Sequence, residues 1–238
     1  MTIREKAGDA LLFYRMGDFY ELFFDDALKA SAALGIALTK RGQYKGEDIP
    51  MCGVPVVAAE GYLLRLIEQG HRVAVCEQTE SPAEAKKRGS KSVVNRQMVR
   101  LVTPGTITED TLLDAKASNR LLAINCTASG DWALAWADVS TGELATMSFA
   151  GEHAQSQLIE TLVSLLPKEI LMPQTMDPAI FAELGDVAIT PLDDVAFRAS
   201  KPKEKRLAAG FSVASLDGFG DFTRASLGAL IALYEYVE

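Results

Sequence analysis

The order of strand-length and helix-length apolar segments in the second half of the chain restricts its fold more than any other feature. Three short apolar runs, 120–126, 132–139 and 144–149, succeed one another across Ser129-Gly130-Asp131 and Ser140-Thr141-Gly142, the spacing of an antiparallel meander. Then the period changes. Leu158, Ile159, Leu162, Val163, Leu165 and Leu166 recur at helical intervals until Pro167 stops them. A strand at 169–172, a helix at 178–184, a strand at 187–190, a charged stretch at 201–206 and an apolar helix at 222–236 follow. The predicted order, β-β-β-α-β-α-β-α, is a meander followed by parallel crossovers, a ribonuclease H-like arrangement.

The first half reads as a separate α/β unit on a mixed sheet. Leu11-Leu12-Phe13-Tyr14 and the aromatic run 19–24 are strands around a Met16-Gly17-Asp18 turn. Asp25 or Asp26 is expected to cap a helix over 27–34 that ends at Gly35, and 36–39 to return as a strand. A polar loop with Gly42 and Gly46 comes next. The prolines and glycine of 49–55 favour an edge or irregular segment. Ala59, Tyr62, Leu63, Leu66 and Ile67 mark an amphipathic helix closed by Gly70. A strand at 71–76, a helix capped by Ser81-Pro82-Ala83-Glu84 and closed by Gly89, and a strand at 93–102 complete the unit. Thr103-Pro104-Gly105-Thr106 breaks the pattern, and 110–117 reads as a short polar helix or linker. The boundary falls at 113–118, between a domain at 1–113 and one at 119–238.

Charge divides the same way. The net charge is −8, yet residues 1–100 carry +2 and residues 101–238 carry −10, an asymmetry that suggests modules with different partners. Residues 85–108 hold Lys86, Lys87, Arg88, Lys91, Arg96 and Arg100 and no acid. Such a run is ordinarily a solvated face, and alternatively a phosphate-contacting one. No apolar run reaches the roughly 18–20 residues of a membrane span, and the first nine residues turn acidic without a signal core. A cytoplasmic protein is expected.

Several chemistries lack their residues. Cys52, Cys76 and Cys126 are too few and too far apart for a disulfide framework or a CxxC site, and His71 and His153 cannot form HExxH. No phosphate loop, GxGxxG fingerprint or GxSxG elbow is present. Asp131, Asp138 and Glu143 are the candidates for a metal-dependent nuclease on the ribonuclease H-like order. Their ordinary reading is turn formation, since Asp138 precedes a Ser-Thr-Gly turn. In an extended 19–23, Phe19 and Glu21 share one face, an aromatic beside a carboxylate at a turn.

Five blocks then carry a resemblance: Leu11-Leu12-Phe13-Tyr14-Arg15-Met16-Gly17-Asp18-Phe19-Tyr20-Glu21-Leu22-Phe23, Leu38-Thr39-Lys40-Arg41-Gly42, Ile49-Pro50-Met51-Cys52-Gly53-Val54-Pro55, Val75-Cys76-Glu77-Gln78 and Val102-Thr103-Pro104-Gly105-Thr106. In this order they resemble the N-terminal part of the MutS family of DNA mismatch-repair proteins. The second half resembles that family's connector domain by position and topology. The resemblance implies that Phe19 wedges into duplex DNA and stacks on a mispaired base while Glu21 hydrogen-bonds that base. It makes Met16, Asp18, Lys40 and Arg41 further DNA contacts, and it implies a MutL-type repair protein as partner of the connector. Val56-Val57 stand where the family usually has Tyr-His, and the family's leading Thr-Pro-Met segment is missing.

The last helix runs to Glu238 without a Gly or Asn cap, so a longer protein is expected. By the resemblance, the lever, clamp and ATPase domains, with their ATP and Mg²⁺, lie beyond it. No cofactor, no ATPase activity and a monomeric state are expected of this stretch, against a dimeric bacterial family. Two other readings stay open: the metal-dependent nuclease, and a module for protein interaction alone.

Overall fold

A computed structural model describes residues 2–89, 92–108, 118–185 and 187–238. The chain parts into two compact units, Met1–Pro104 and Gly105–Glu238. The linker expected at 110–117 and Lys91 lie outside the described residues.

In the first unit a short helix α1 (Ile3–Ala7) leads into β1 (Leu11–Met16) and β2 (Phe19–Phe23). The hairpin closes through Gly17 at φ 63, a backbone that a side chain would strain. Helix α2 (Phe24–Leu34) follows with no intervening loop and ends at a left-handed Gly35. Neither Asp25 nor Asp26 caps it, contrary to expectation. Both sit in the first turn, and Asp26 instead accepts the Leu12 N–H at 3.0 Å and pairs with Arg4.

The next strand, β3 (Thr39–Tyr44), lies later than the expected 36–39 and takes in the expected polar loop. It turns through Lys45 and Gly46, both at positive φ, into β4 (Glu47–Pro55). β4 is not an edge strand. It pairs with β2 on one side and β3 on the other, and Pro50 is tolerated opposite Lys40, where the register of β3 shifts. Helix α3 (Ala59–Glu68), β5 (Val73–Gln78), α4 (Pro82–Arg88) with its Ser81–Glu84 capping box, and β6 (Arg96–Val102) complete the unit. The sheet order is β3-β4-β2-β1-β5-β6, antiparallel except for β1 with β5.

One face of this sheet is packed. Leu11, Phe13, Tyr20, Leu22, Cys52 and Val54 are buried, as are Ala27, Ala30 and Leu34 of α2 and Leu63, Leu66 and Ile67 of α3, and these helices contact the sheet strands. The opposite face is covered at one end, where Ala7 and Ala10 pack with Ala74, Leu12 and Met98. Alternation along β1 and β2 leaves the other end of that face to Tyr14, Met16, Phe19 and Glu21.

The second unit follows the predicted order closely. A meander of β7 (Arg120–Cys126), β8 (Trp132–Asp138) and β9 (Glu143–Phe149) is followed by α5 (Ala154–Leu165), β10 (Glu169–Pro173) and β11 (Ala188–Leu192). Two helices, α6 (Lys201–Gly210) and α7 (Arg224–Val237), close it. The segment Pro178–Leu184 is 3₁₀ rather than α-helix. The order β11-β10-β7-β8-β9 has β7, β10 and β11 parallel and the meander antiparallel. Leu121, Ala123, Ala135 and Leu171 pack under α7 on one face, and Leu122, Ile124, Leu134 and Ile170 pack under α5 on the other.

Candidate functional site

Of the expected site residues, Phe19, Glu21, Met16 and Arg41 gather at the uncovered end of the first sheet, with Asp18 in the adjoining turn. Phe19 begins β2 directly after the hairpin turn and is 47% exposed. Its neighbours Tyr20 and Leu22 point the other way into the core, where Tyr20 stacks on Phe13. The Tyr20 hydroxyl donates to Glu77, and burial first, then that carboxylate, raises its pKa. The wedge candidate is therefore mounted on an anchored strand. Met16 lies opposite Phe19 across the hairpin, and the Asp18 carbonyl accepts the Val56 N–H at 2.9 Å. That bond ties the turn to the segment after Pro55, itself opposite Phe19.

Glu21 does not stand alone. Its carboxylate accepts a hydrogen bond of 2.5 Å from the Arg41 guanidinium. These residues belong to β2 and to β3, with β4 between them. The residue of β4 opposite Glu21 is Gly53, where an added Cβ would lie 3.6 Å from the Glu21 side chain. The absence of a side chain keeps the path over β4 open to Arg41. Lys40 points elsewhere and pairs with Asp48 at 2.6 Å. The hydrogen bond to Asp48, and then its charge, hold the Lys40 ammonium above its ordinary pKa.

Arg96, read in the sequence only as part of a basic run, belongs to this face. Its guanidinium lies 4.9 Å from the centre of the Tyr14 ring, donates to the Arg15 carbonyl at 2.7 Å and reaches the Met16 sulfur at 3.1 Å. Tyr14 is opposite Glu21. The face thus carries, from one side to the other, Arg41, Glu21, Tyr14 and Arg96, with Phe19 and Met16 at its end. The rest of the run disperses: Lys86 and Lys87 sit in the last turn of α4, where cations suit the helix dipole, and Arg88 pairs with Glu80. Val57, one of the two valines at the expected departure, is 98% exposed.

Of the nuclease candidates, Asp138 and Glu143 are cross-strand partners in β8 and β9, with Glu143 accepting the Trp136 indole N–H at 3.1 Å and pairing with Arg120, but Asp131 does not join them. Asp131 precedes β8 and Asp138 ends it, roughly 20 Å apart at the rise of an extended strand. Among the described residues no group of three or more His, Cys, Asp or Glu could hold a metal ion. Asp138 is a turn-former: it accepts from the Ser140 hydroxyl at 2.6 Å, the Ser140 N–H at 3.1 Å and the Asn119 N–H at 3.0 Å. Burial pushes its carboxyl up, but these bonds outweigh burial and leave its pKa below the ordinary value. The stabilisation is present above the unfolded pKa, about 3.9, and is lost as pH falls through the lower folded value. Asp138→Asn is expected to cost about 1–3 kcal/mol at pH 7. In urea titrations the gap to the parent protein should narrow below about pH 4.

Cys52 and Cys76 are buried, which raises both thiols to about 11, and burial also raises Cys126. None is primed as a nucleophile. No helix among the described residues is long and apolar enough to cross a membrane.

Comparison with known proteins finds a match for each unit. The family model described as MutS domain I matches residues 1–111 and that of MutS domain II matches residues 119–238. Proteins named DNA mismatch repair protein MutS from Ruegeria pomeroyi, Rhizobium meliloti and Cereibacter sphaeroides are 56%, 54% and 54% identical to it. Each alignment takes in 100% of this chain and 27%, 26% and 26% of the respective relative. The chain spans about a quarter of the length of the curated relatives it matches.

Proposed function

The chain belongs to the MutS family, and from that premise we propose that its first unit senses mismatched DNA, with Phe19 as wedge and Glu21 as polar contact. The observation that supports this most is the pairing of a half-exposed Phe19 with Glu21 on one open sheet face, framed by Arg41 and Arg96.

Inserting an apolar ring between base pairs costs a few kcal/mol of unstacking, least where pairing is already defective. The kink lets more protein surface meet the DNA, so a mismatch is read as deformability. Glu21 supplies a second filter. A carboxylate beside phosphates is repelled unless a base donor meets it, which penalises intact duplex. Arg41 and Arg96 offset part of that repulsion and serve as phosphate or sugar contacts, with Met16, Asp18 and Lys40 placing the wedge or touching the backbone.

The test is a low-salt fluorescence-anisotropy titration of the chain against a duplex with one unpaired thymine and the same duplex fully matched. Tighter binding of the defective duplex is expected, and equal binding of both contradicts the proposal. In Glu21→Gln, Arg41 loses its carboxylate partner and the filter disappears. Affinity for matched duplex should then rise by up to about fivefold, and affinity for the defective duplex by less. Equal gains on both would remove Glu21 from discrimination.

The second unit is the connector. Its acidic sequence suits protein contacts, and the proposed partner is a MutL-type repair protein. Chemistry with ATP and Mg²⁺, and dimerisation, belong in this reading to other domains of the family.

A further inference from the structure

Mismatch reading makes no use of a large cleft in the second unit. The chain leaves β7 toward β8 on one side and leaves β10 toward β11 on the other, while β7 and β10 themselves lie side by side and parallel. The connections therefore diverge between them. In open α/β sheets the crevice outside the carboxyl ends of such a strand pair is where ligands bind. A cleft of about 910 Å³ opens there, with Asn125, Trp132, Thr175, Arg198 and Arg224 in its wall, within the range of ligand sites.

Asn125 builds the centre. It is 8% exposed, and its Nδ2 donates to the carbonyls of Phe197 at 3.4 Å and Ala225 at 3.1 Å. The chain neighbours of those two residues, Arg198 and Arg224, are thereby brought to the same part of the cleft. Neither arginine side chain has a hydrogen bond, ion pair or ring contact with a described residue, and Asn125 Oδ1 accepts no bond from one. The two carboxylates of the wall are already engaged. Asp131 accepts from the Ser129 hydroxyl at 2.6 Å, and Asp194 accepts from the Thr175 hydroxyl at 2.8 Å and its N–H at 3.3 Å. What remains unmatched is two guanidinium groups and one amide acceptor beside an indole.

We propose that this cleft binds a nucleotide phosphomonoester, with Arg198 and Arg224 on the phosphoryl oxygens and Asn125 Oδ1 accepting a donor from the nucleoside. Guanidinium groups present paired N–H donors that match phosphoryl oxygens, and Trp132 gives the base an apolar wall. The phosphate has two possible sources, a free mononucleotide or the 5′-phosphate at the end of a DNA strand. The proposal is independent of the Phe19 reading.

The experiment is a ¹H–¹⁵N NMR titration of the full chain that follows the Trp132 indole N–H. The ligands are thymidine 5′-monophosphate, thymidine, and a thymidine trinucleotide with and without its 5′-phosphate. Saturable shifts are expected only with phosphate present, weakened about tenfold or more in Arg198→Gln and in Arg224→Gln. Both arginines are exposed, so the variants should keep the parent spectrum elsewhere. Response to the mononucleotide alone identifies a free nucleotide, and response to the phosphorylated trinucleotide identifies a strand end. No saturable shift, an equal response to thymidine, or unchanged affinity in both variants overturns the proposal. Saturation by a glutamate-rich peptide but by no phosphate also overturns it, in favour of a protein partner.

Discussion

Phe19→Ala is expected to bring the affinity for a duplex with one unpaired thymine down to that for the matched duplex, a loss of about 5- to 150-fold. The size follows from stacking of a base on an aromatic side chain, about 1–3 kcal/mol. The affinity for matched duplex should hardly change, because an intact stack does not admit the ring. Stability should change by no more than about 0.5 kcal/mol: Phe19 is half-exposed, and the strand beneath it is held by Tyr20 and Leu22. Anisotropy titrations of the variant on both duplexes, beside its thermal melt, check the three expectations together. A mismatch preference that survives in Phe19→Ala would mean that another residue reads the defect.

The largest expected effect on stability lies in the second unit, at Gly228. This glycine is buried inside α7, between the Phe197 carbonyl and the Asn125 side chain of β7. Helix propensity alone would favour alanine there by about 1 kcal/mol. Packing decides otherwise. A Cβ would stand 2.2 Å from the Phe197 carbonyl oxygen and 2.3 Å from Asn125 Nδ2, neither of which is the free end of a flexible side chain. Moving α7 off the sheet would also break the bond from Asn125 to the Ala225 carbonyl. Overpacking of this severity costs about 3 kcal/mol or more, which outweighs propensity. Gly228→Ala should lower the melting temperature of the second unit by roughly 10 °C, and calorimetry reads it directly. A stabilised variant would show that α7 seats less closely than described.

How much of this is legible in the sequence depends on how local its cause is. The meander was legible because each of its strands is a short apolar run between turn formers, and 120–126 agrees with β7 to the residue. The common face of Phe19 and Glu21 follows from strand alternation once the Gly17 turn is recognised. The start of α2 was not legible. A carboxylate near a helix start suggests a cap, yet Asp26 is drawn to the Leu12 N–H and to Arg4, which only the folded chain brings near. The Glu21–Arg41 pair depends on β4 lying between the two strands and offering Gly53 at the crossing, an arrangement of strand order. Arg96 was hidden by its neighbours in the basic run. Its face is set by pairing with β5, and β6 shifts register two positions further along. The cleft in the second unit joins residues up to 100 positions apart through Asn125, beyond the reach of any local pattern.

In the proposed reading Phe19 touches the unpaired base itself. The most direct test of that contact is photocrosslinking from 5-iodouracil placed as the unpaired base, followed by mass-spectrometric mapping of the attached peptide. One dominant crosslink is expected, at Phe19, and it should disappear when the same 5-iodouracil is paired with adenine. A crosslink of equal yield from the paired base, or one that maps away from the hairpin of β1 and β2, would contradict that reading.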